Sequence, residues 1–256
     1  MTDSRRPEPR VSVCMATYRG ARYVEEQLTS ILEQLGPDDE VVIIDDASPD
    51  STVDVITGIA DPRIRLERAT TNRGYVRTFE AALRSARGEF LLLSDQDDVW
   101  LPGRVDAMTR SLEAHAVVAT NLTMLGGPDS LRGPLGQEDW RLRPEDSGRA
   151  ARNVLGVLAG NRPYYGCAMG VRRDALAVLL PFPGYLTESH DLWIALYGNL
   201  SGSIEHLPIR SLARRVHGEN QTPDRPRGIV PVLRARVMLA RAVGTLRRRI
   251  ASSSPR

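Results

Sequence analysis

Over the first 125 residues, apolar runs of strand length alternate with helix-period segments, and no other feature narrows the possible folds as far. "VSVCMATY" (11–18), "EVVIIDDAS" (40–48), "RIRLERA" (63–69), "FLLLSD" (90–95) and "AVVATNLTML" (116–125) read as five strands. Between the first two, Val24, Leu28, Ile31, Leu32 and Leu35 recur at helical spacing until Gly36. Val53, Ile56 and Ile59 share one face of a second helix. Residues 72–88 give a loop and a helix closed by Gly88, and Pro102 opens another helix through about His115. Connections that carry a helix join parallel strands. The expected fold is therefore α/β: a mostly parallel central sheet flanked by helices.

That topology places the polar clusters. In open parallel sheets, ligands bind beyond the carboxyl ends of the strands. Thr17–Tyr18, Asp45–Asp46 and Asp95–Asp98 each follow a predicted strand, so all three should meet on one rim. Asp95, Asp97 and Asp98 repel one another and raise one another's pKa unless something positive offsets them. A hard divalent cation, Mg²⁺ or Mn²⁺, is held by one or two carboxylates together with substrate phosphates. An exposed acidic turn is the plain alternative, and an EF-hand is excluded because its loop glycine and terminal Glu are missing. Asp46 can accept bonds from a nucleotide base or ribose, or cap the helix near Ser51. Asn72-Arg73-Gly74 can face a phosphate or base, or form an ordinary turn.

Beyond residue 125 the pattern thins. "GGPDSLRGPLGQEDWRLRPEDSG" (126–148) reads as a long loop between halves. Helices are expected near 150–159, near 174–180 and over "HDLWIALYGNL" (190–200), with "SIEHLP" and "IRSLARRVHG" as short strands. From Arg225 onward there are nine Arg and no acidic residue. Ile229, Val232, Leu233, Val237, Leu239, Val243, Leu246 and Ile250 are interspersed with them. Such a basic amphipathic helix either lies on an anionic membrane or docks its apolar face on the body. The division expected is a short disordered lead (1–10), an α/β half (11–125), a second half (126–220) and a basic tail (221–256).

Composition removes several functions. All 34 basic residues are Arg. Without Lys there is no Walker-type loop, no Schiff-base chemistry and no protein-kinase site. No G-x-G-x-x-G follows a strand, which speaks against a dehydrogenase. A net charge of +2 argues against a nucleic-acid partner. Cys14 and Cys167 have no metal-like spacing and are expected to be reduced, buried thiols of a cytoplasmic protein. No apolar run reaches about 18 residues, and the first ten lack a signal-peptide core.

Taken in order, "ATY", "IIDDASPDST", "NRG" and "SDQDDVW" resemble the N-terminal half of family 2 glycosyltransferases. "YYGCAMGVRR", "HDLW" and "RRVHGENQT" resemble the family's later segments, most of all in bacterial members that build rhamnose-containing or related surface polysaccharides. The resemblance spans roughly residues 10–220. It implies a GT-A fold, with a Rossmann-like nucleotide-binding layer followed by an acceptor-binding part. The implied donor is a nucleoside-diphosphate sugar of the UDP or dTDP type, and the acceptor a saccharide or lipid-linked hydroxyl. By position, Thr17, Tyr18 and Asp46 would hold base and ribose, with Arg73 near the base. Asp95 would touch ribose or metal, Asp97 would ligate the divalent cation, and His217 would lie near the metal-bound diphosphate. The last segment departs from the family at Arg215. Asp191 would be the catalytic base of an inverting displacement; on its residues alone, "SHDLW" equally reads as a helix N-cap. A non-catalytic nucleotide-sugar-binding subunit or scaffold would keep the donor residues and dispense with Asp191.

Overall fold

The structure is a computed structural model and describes residues 8–134, 136–216 and 228–253. The first seven residues and His217 lie outside them. The first half forms as its periodicity predicts: β1 (Val11–Thr17), α1 (Val24–Leu32), β2 (Glu40–Asp45), α2 (Thr52–Gly58), β3 (Ile64–Arg68), α3 (Tyr75–Ser85) and β4 (Phe90–Ser94). β5 (Val99–Trp100), α4 (Arg104–Leu112) and β6 (Val117–Met124) follow. β1, β2 and β4 are buried almost throughout. Continuous apolar runs of this kind belong to a sheet covered on both faces.

The second half supplies α5 (Ala150–Ala159), β7 (Met169–Arg172), α6 (Leu176–Leu179), α7 (His190–Leu200), β8 (Ile204–Arg214) and α8 (Ile229–Ser253). Among the described residues, eight strands form one sheet in the order β3-β2-β1-β4-β7-β6-β8-β5. β3, β2, β1 and β4 pair in parallel. β6 also runs parallel to β4 but does not touch it. β7 lies antiparallel between them, with Leu92 opposite Gly170 and Ala119 opposite Met169. Gly170 makes this fit possible: a Cβ there would lie 2.8 Å from Leu92 Cδ2 and 3.2 Å from the Leu91 carbonyl.

The expected pair of short strands after residue 203 is one strand, β8. It pairs in parallel with β6 and in antiparallel with β5, and register shifts near Asn121 interrupt the first ladder. Such irregularities let a paired strand bend. The 126–148 segment is anchored at Leu142, whose N–H donates to Asn121 Oδ1 at 2.7 Å. Two apolar clusters cover the two faces of the sheet. One lies under α3, α7 and α8, the other under α1 and α4. Cys14 and Cys167 are free and buried.

Candidate active site

The parallel strands β1, β2 and β4 point their carboxyl ends at one rim, and the acidic pair after β2 divides its work there. Asp45 is fully buried. It accepts the Ser48 N–H at 2.9 Å and the Thr17 hydroxyl at 3.1 Å. Thr17 is thus tied back to the sheet, and Tyr18 stands exposed beside it. Asp46 turns the other way. Its two oxygens accept the N–H groups of Arg73 and Gly74, each at 2.8 Å. Those N–H groups therefore do not face a phosphate, as the sequence allowed; they hold the start of α3 to the end of β2. The Arg73 side chain is exposed, and its neighbours Asn72 and Gly74 line the rim.

The acidic run after β4 folds over the same rim. Gln96 clamps Tyr18, accepting its N–H at 2.9 Å and donating to its carbonyl at 3.0 Å. Gly20 packs directly on the Gln96 amide, so a Cβ there would push the clamp aside. Burial, then the charges of Asp98 and Asp97, raise the Asp95 carboxyl; burial, then Asp97, raise Asp98. Part of the expected positive offset comes from the chain itself. Arg214 lies near both carboxylates and acts against those shifts. Arg215 holds the loop: its N–H donates to Asp98 Oδ1 at 3.2 Å and its Nε to the Asp97 carbonyl at 3.1 Å. The Cys167 thiol, raised by burial and by Asp98 and Asp95, completes this corner. Asp95, Asp98 and Cys167 each bring one ligand atom within 4.8 Å of the others. Asp98 Oδ2 is buried without a hydrogen-bond partner in the described structure. Two carboxylates with an unsatisfied buried oxygen suit a divalent cation.

The facing wall comes from the start of α7. Ser189 precedes it in the left-handed region, φ 62°, and donates its N–H to the Tyr75 hydroxyl at 3.0 Å. This turn presents His190 and Asp191 together. Asp191 is the second residue of α7 and not its N-cap, as its residues alone allowed: the cap position falls on Ser189, and Asp191 Oδ1 accepts only the Leu192 N–H, at 2.8 Å. Burial nonetheless pushes its pKa up to about 6. His190 is 5% exposed and stacks on Phe79 with ring centroids 4.3 Å apart. Neither ring nitrogen has a partner in the described structure, and burial drives its pKa down to about 3.

Between these walls lies a cleft of about 600 Å³. Thr17, Tyr18, Asp46, Asp95, Asp97 and Asp191 all line it. Residues 12–180 match the sequence profile described as glycosyl transferase family 2. The chain belongs to that family. Among its relatives is an uncharacterized glycosyltransferase of Nostoc sp., 32% identical over 140 residues, which cover 51% of this chain and 44% of the relative. The succinoglycan biosynthesis protein ExoO of Rhizobium meliloti is 35% identical over 106 residues, covering 41% and 30%. The Escherichia coli enzyme WfaP, a UDP-Glc:alpha-D-GlcNAc-diphosphoundecaprenol beta-1,3-glucosyltransferase, is 29% identical over 107 residues, covering 42% and 43%. The chain thus matches less than half the length of each of these relatives. Staphylococcus aureus TarS (1–349), solved with UDP-GlcNAc, superposes with a TM-score of 0.64 at 18% identity over 96% of this chain and 73% of that one. The fold is GT-A.

For a family 2 chain, the sequence leaves several cleft residues unmarked. Arg214, Tyr165, Cys167 and Gln96 line it as well. Arg214 and Cys167 reach the acidic corner only because β8 pairs with β5, just past the acidic run, and the turn before β7 comes back to β4, which no local pattern records. Gln96 lies inside the acidic motif, and its glycine partner was the available signal.

Proposed function

We propose that this chain transfers a glycosyl group from a nucleoside-diphosphate sugar to a hydroxyl of a saccharide or lipid-linked acceptor, with inversion at the anomeric carbon. The observation that carries the reading is the meeting of Asp46, Asp95, Asp97 and Asp191 around one cleft. Its volume falls in the range of small-ligand sites. On this reading the first half holds the donor, and the later segments bring the base and the acceptor.

The nucleoside would lie against Tyr18, near Asp46 and the turn at Asn72, with Asp95 close to the ribose. A divalent cation would be held by Asp95 and Asp98, whose ligand atoms already converge, joined by Asp97, the ligand that the family resemblance implies and a lining residue of the same cleft. Bound there, it would supply Lewis-acid stabilisation of the diphosphate leaving group. Arg214 would add positive charge on the same side. Asp191 would accept the proton of the acceptor hydroxyl as the bond to the sugar forms. Its raised pKa makes it a stronger base than a solvated carboxylate while leaving it ionised at neutral pH. That the glycosyltransferase WfaP is similar over 107 residues supports a saccharide-diphospholipid acceptor class; TarS, solved with UDP-GlcNAc, supports a uridine donor.

The test is Asp191→Asn, assayed for nucleotide release from a panel of UDP- and dTDP-sugars with Mn²⁺ and for donor binding by thermal shift. Transfer should be lost while the donor still raises the melting temperature. A variant that transfers at the parent rate would remove Asp191 from the mechanism. Donor binding by a parent chain that releases no nucleotide, with or without acceptor, would favour the scaffold reading instead.

A further inference from the structure

The last helix has two apolar faces. Leu239, Ala242 and Leu246 are buried against the body, with Met238, Val243 and Ile250 packed beside them. Polar contacts fix this inner face. Arg249 donates to the carbonyls of Val178, Leu179 and Pro181, and the Tyr185 hydroxyl donates to Thr245 Oγ1 at 2.8 Å. Docking on the body is therefore real, but it uses only one side of α8.

At about 100° per residue, Val230, Leu233 and Val237 fall in a sector about 60° wide, diametrically opposite Leu239, Ala242 and Leu246. They are 58%, 59% and 69% exposed. Arg234, Arg241 and Arg248, spaced by seven, run along the edge of that outer face, and all three are exposed. The helix carries six Arg and no acidic residue. Among the described residues no helix is long and apolar enough to cross a membrane.

We propose that the outer face of α8 docks on an anionic lipid bilayer, lying in the interfacial plane with Val230, Leu233 and Val237 inserted and Arg234, Arg241 and Arg248 at headgroup level. Charge selects this occupant. Two copies meeting through this face would bring two all-Arg rows together, which is repulsive. A bilayer containing acidic lipid supplies both a negative plane and an apolar layer beneath it, matching the two components of the stripe. The inference does not depend on the proposed transfer reaction, and its test involves no nucleotide.

The full chain should co-sediment with vesicles of phosphatidylglycerol and phosphatidylcholine at one to two, far more than with pure phosphatidylcholine. Added salt should weaken this binding, because charges near a surface are screened. Replacing Arg234, Arg241 and Arg248 by Gln should lower the partition coefficient roughly a hundredfold, about fivefold per charge. Val230→Ser, Leu233→Ser and Val237→Ser together should also abolish co-sedimentation. The serine variant alters only exposed positions, so its melting temperature should match the parent; Arg241 also lies over the Tyr185 ring at 4.2 Å, so the glutamine variant is read at temperatures where its own melting curve shows it folded. Equal binding to neutral and anionic vesicles would overturn the proposal, as would unchanged binding by a folded serine variant. Self-association that the serine changes abolish, in a chain that ignores vesicles, would assign the face to a second copy.

Discussion

Replacing His190 by Phe should make the chain markedly less sensitive to acid. The imidazole is 5% exposed, stacked on Phe79, and lacks a partner for either nitrogen in the described structure. Burial lowers its pKa from 6.5 to about 3. Between those values the unfolded chain binds a proton that the folded chain refuses, so acid favours unfolding. The stability this represents is complete above pH 6.5 and is lost as pH falls toward 3. A shift of this size corresponds to about 5 kcal/mol in total, and linkage places about 2 kcal/mol of it between pH 7 and pH 5. Asp95, Asp98 and Asp191 are shifted upward and titrate in the opposite sense, gaining stability as pH falls. The parent curve alone therefore mixes the two, whereas the difference between parent and His190→Phe isolates the imidazole. Urea unfolding of both proteins at pH 7 and pH 5 gives that difference. The parent should lose about 2 kcal/mol more than the variant over this interval. Absolute stability at one pH is a poorer readout. A Cβ on Gly166 would lie 3.0 Å from His190 Nε2, so the ring site is tight and a larger ring meets resistance. Parallel pH dependences in the two proteins would refute a neutral, solvent-excluded His190.

Two further outcomes follow from the site. If Asp191 is the base, kcat/KM should fall tenfold per pH unit below about pH 6, and a limb near pH 4 would mean that a solvated carboxylate controls the rate. Asp46→Ala strips two hydrogen bonds from a carboxylate to the Arg73 and Gly74 N–H groups. It should cost about 2–4 kcal/mol by chemical denaturation and weaken donor binding, because bonds to a charged acceptor are the stronger kind; a loss below 0.5 kcal/mol, roughly the spread of surface substitutions, would show that the loop holds itself.

The first half was legible because each of its elements carries its own period. β2 and β4 are apolar runs, α1 and α3 have one apolar stripe, and the chemistry follows strand ends, so the convergence of Thr17, Asp46 and Asp95–Asp98 came from topology alone. The second half was legible in its helices but not in its pairing. "MGVR" is four residues long, and so short a run fits strand or helix equally well. Its position between β4 and β6 depends on Gly170 meeting Leu91 and Leu92 across the sheet. Pro208 made β8 look like two strands, because a proline usually ends a ladder. Within the site, Asp45 and Asp46 are chemically identical in sequence; only the fold aims one inward at Ser48 and Thr17 and the other toward Gly74. The acidic motif called for a counter-charge, but it did not reveal that the chain brings Arg214 from the far end of β8. Cys167 was readable only as a buried thiol, since its neighbours Asp95 and Asp98 are distant in sequence.

The placement of β7 also bears on how the chain is made. On the ribosome, β4 emerges with one edge bare, and its final neighbour follows roughly 75 residues later. β6 arrives first, runs in the right direction, and opens on the apolar run Val117–Ala119. A direct β4–β6 ladder is thus open to the nascent protein and closed to the finished one. Until β7 is made, the Phe90–Ser94 edge stays open, and exposed strand edges are where other chains pair.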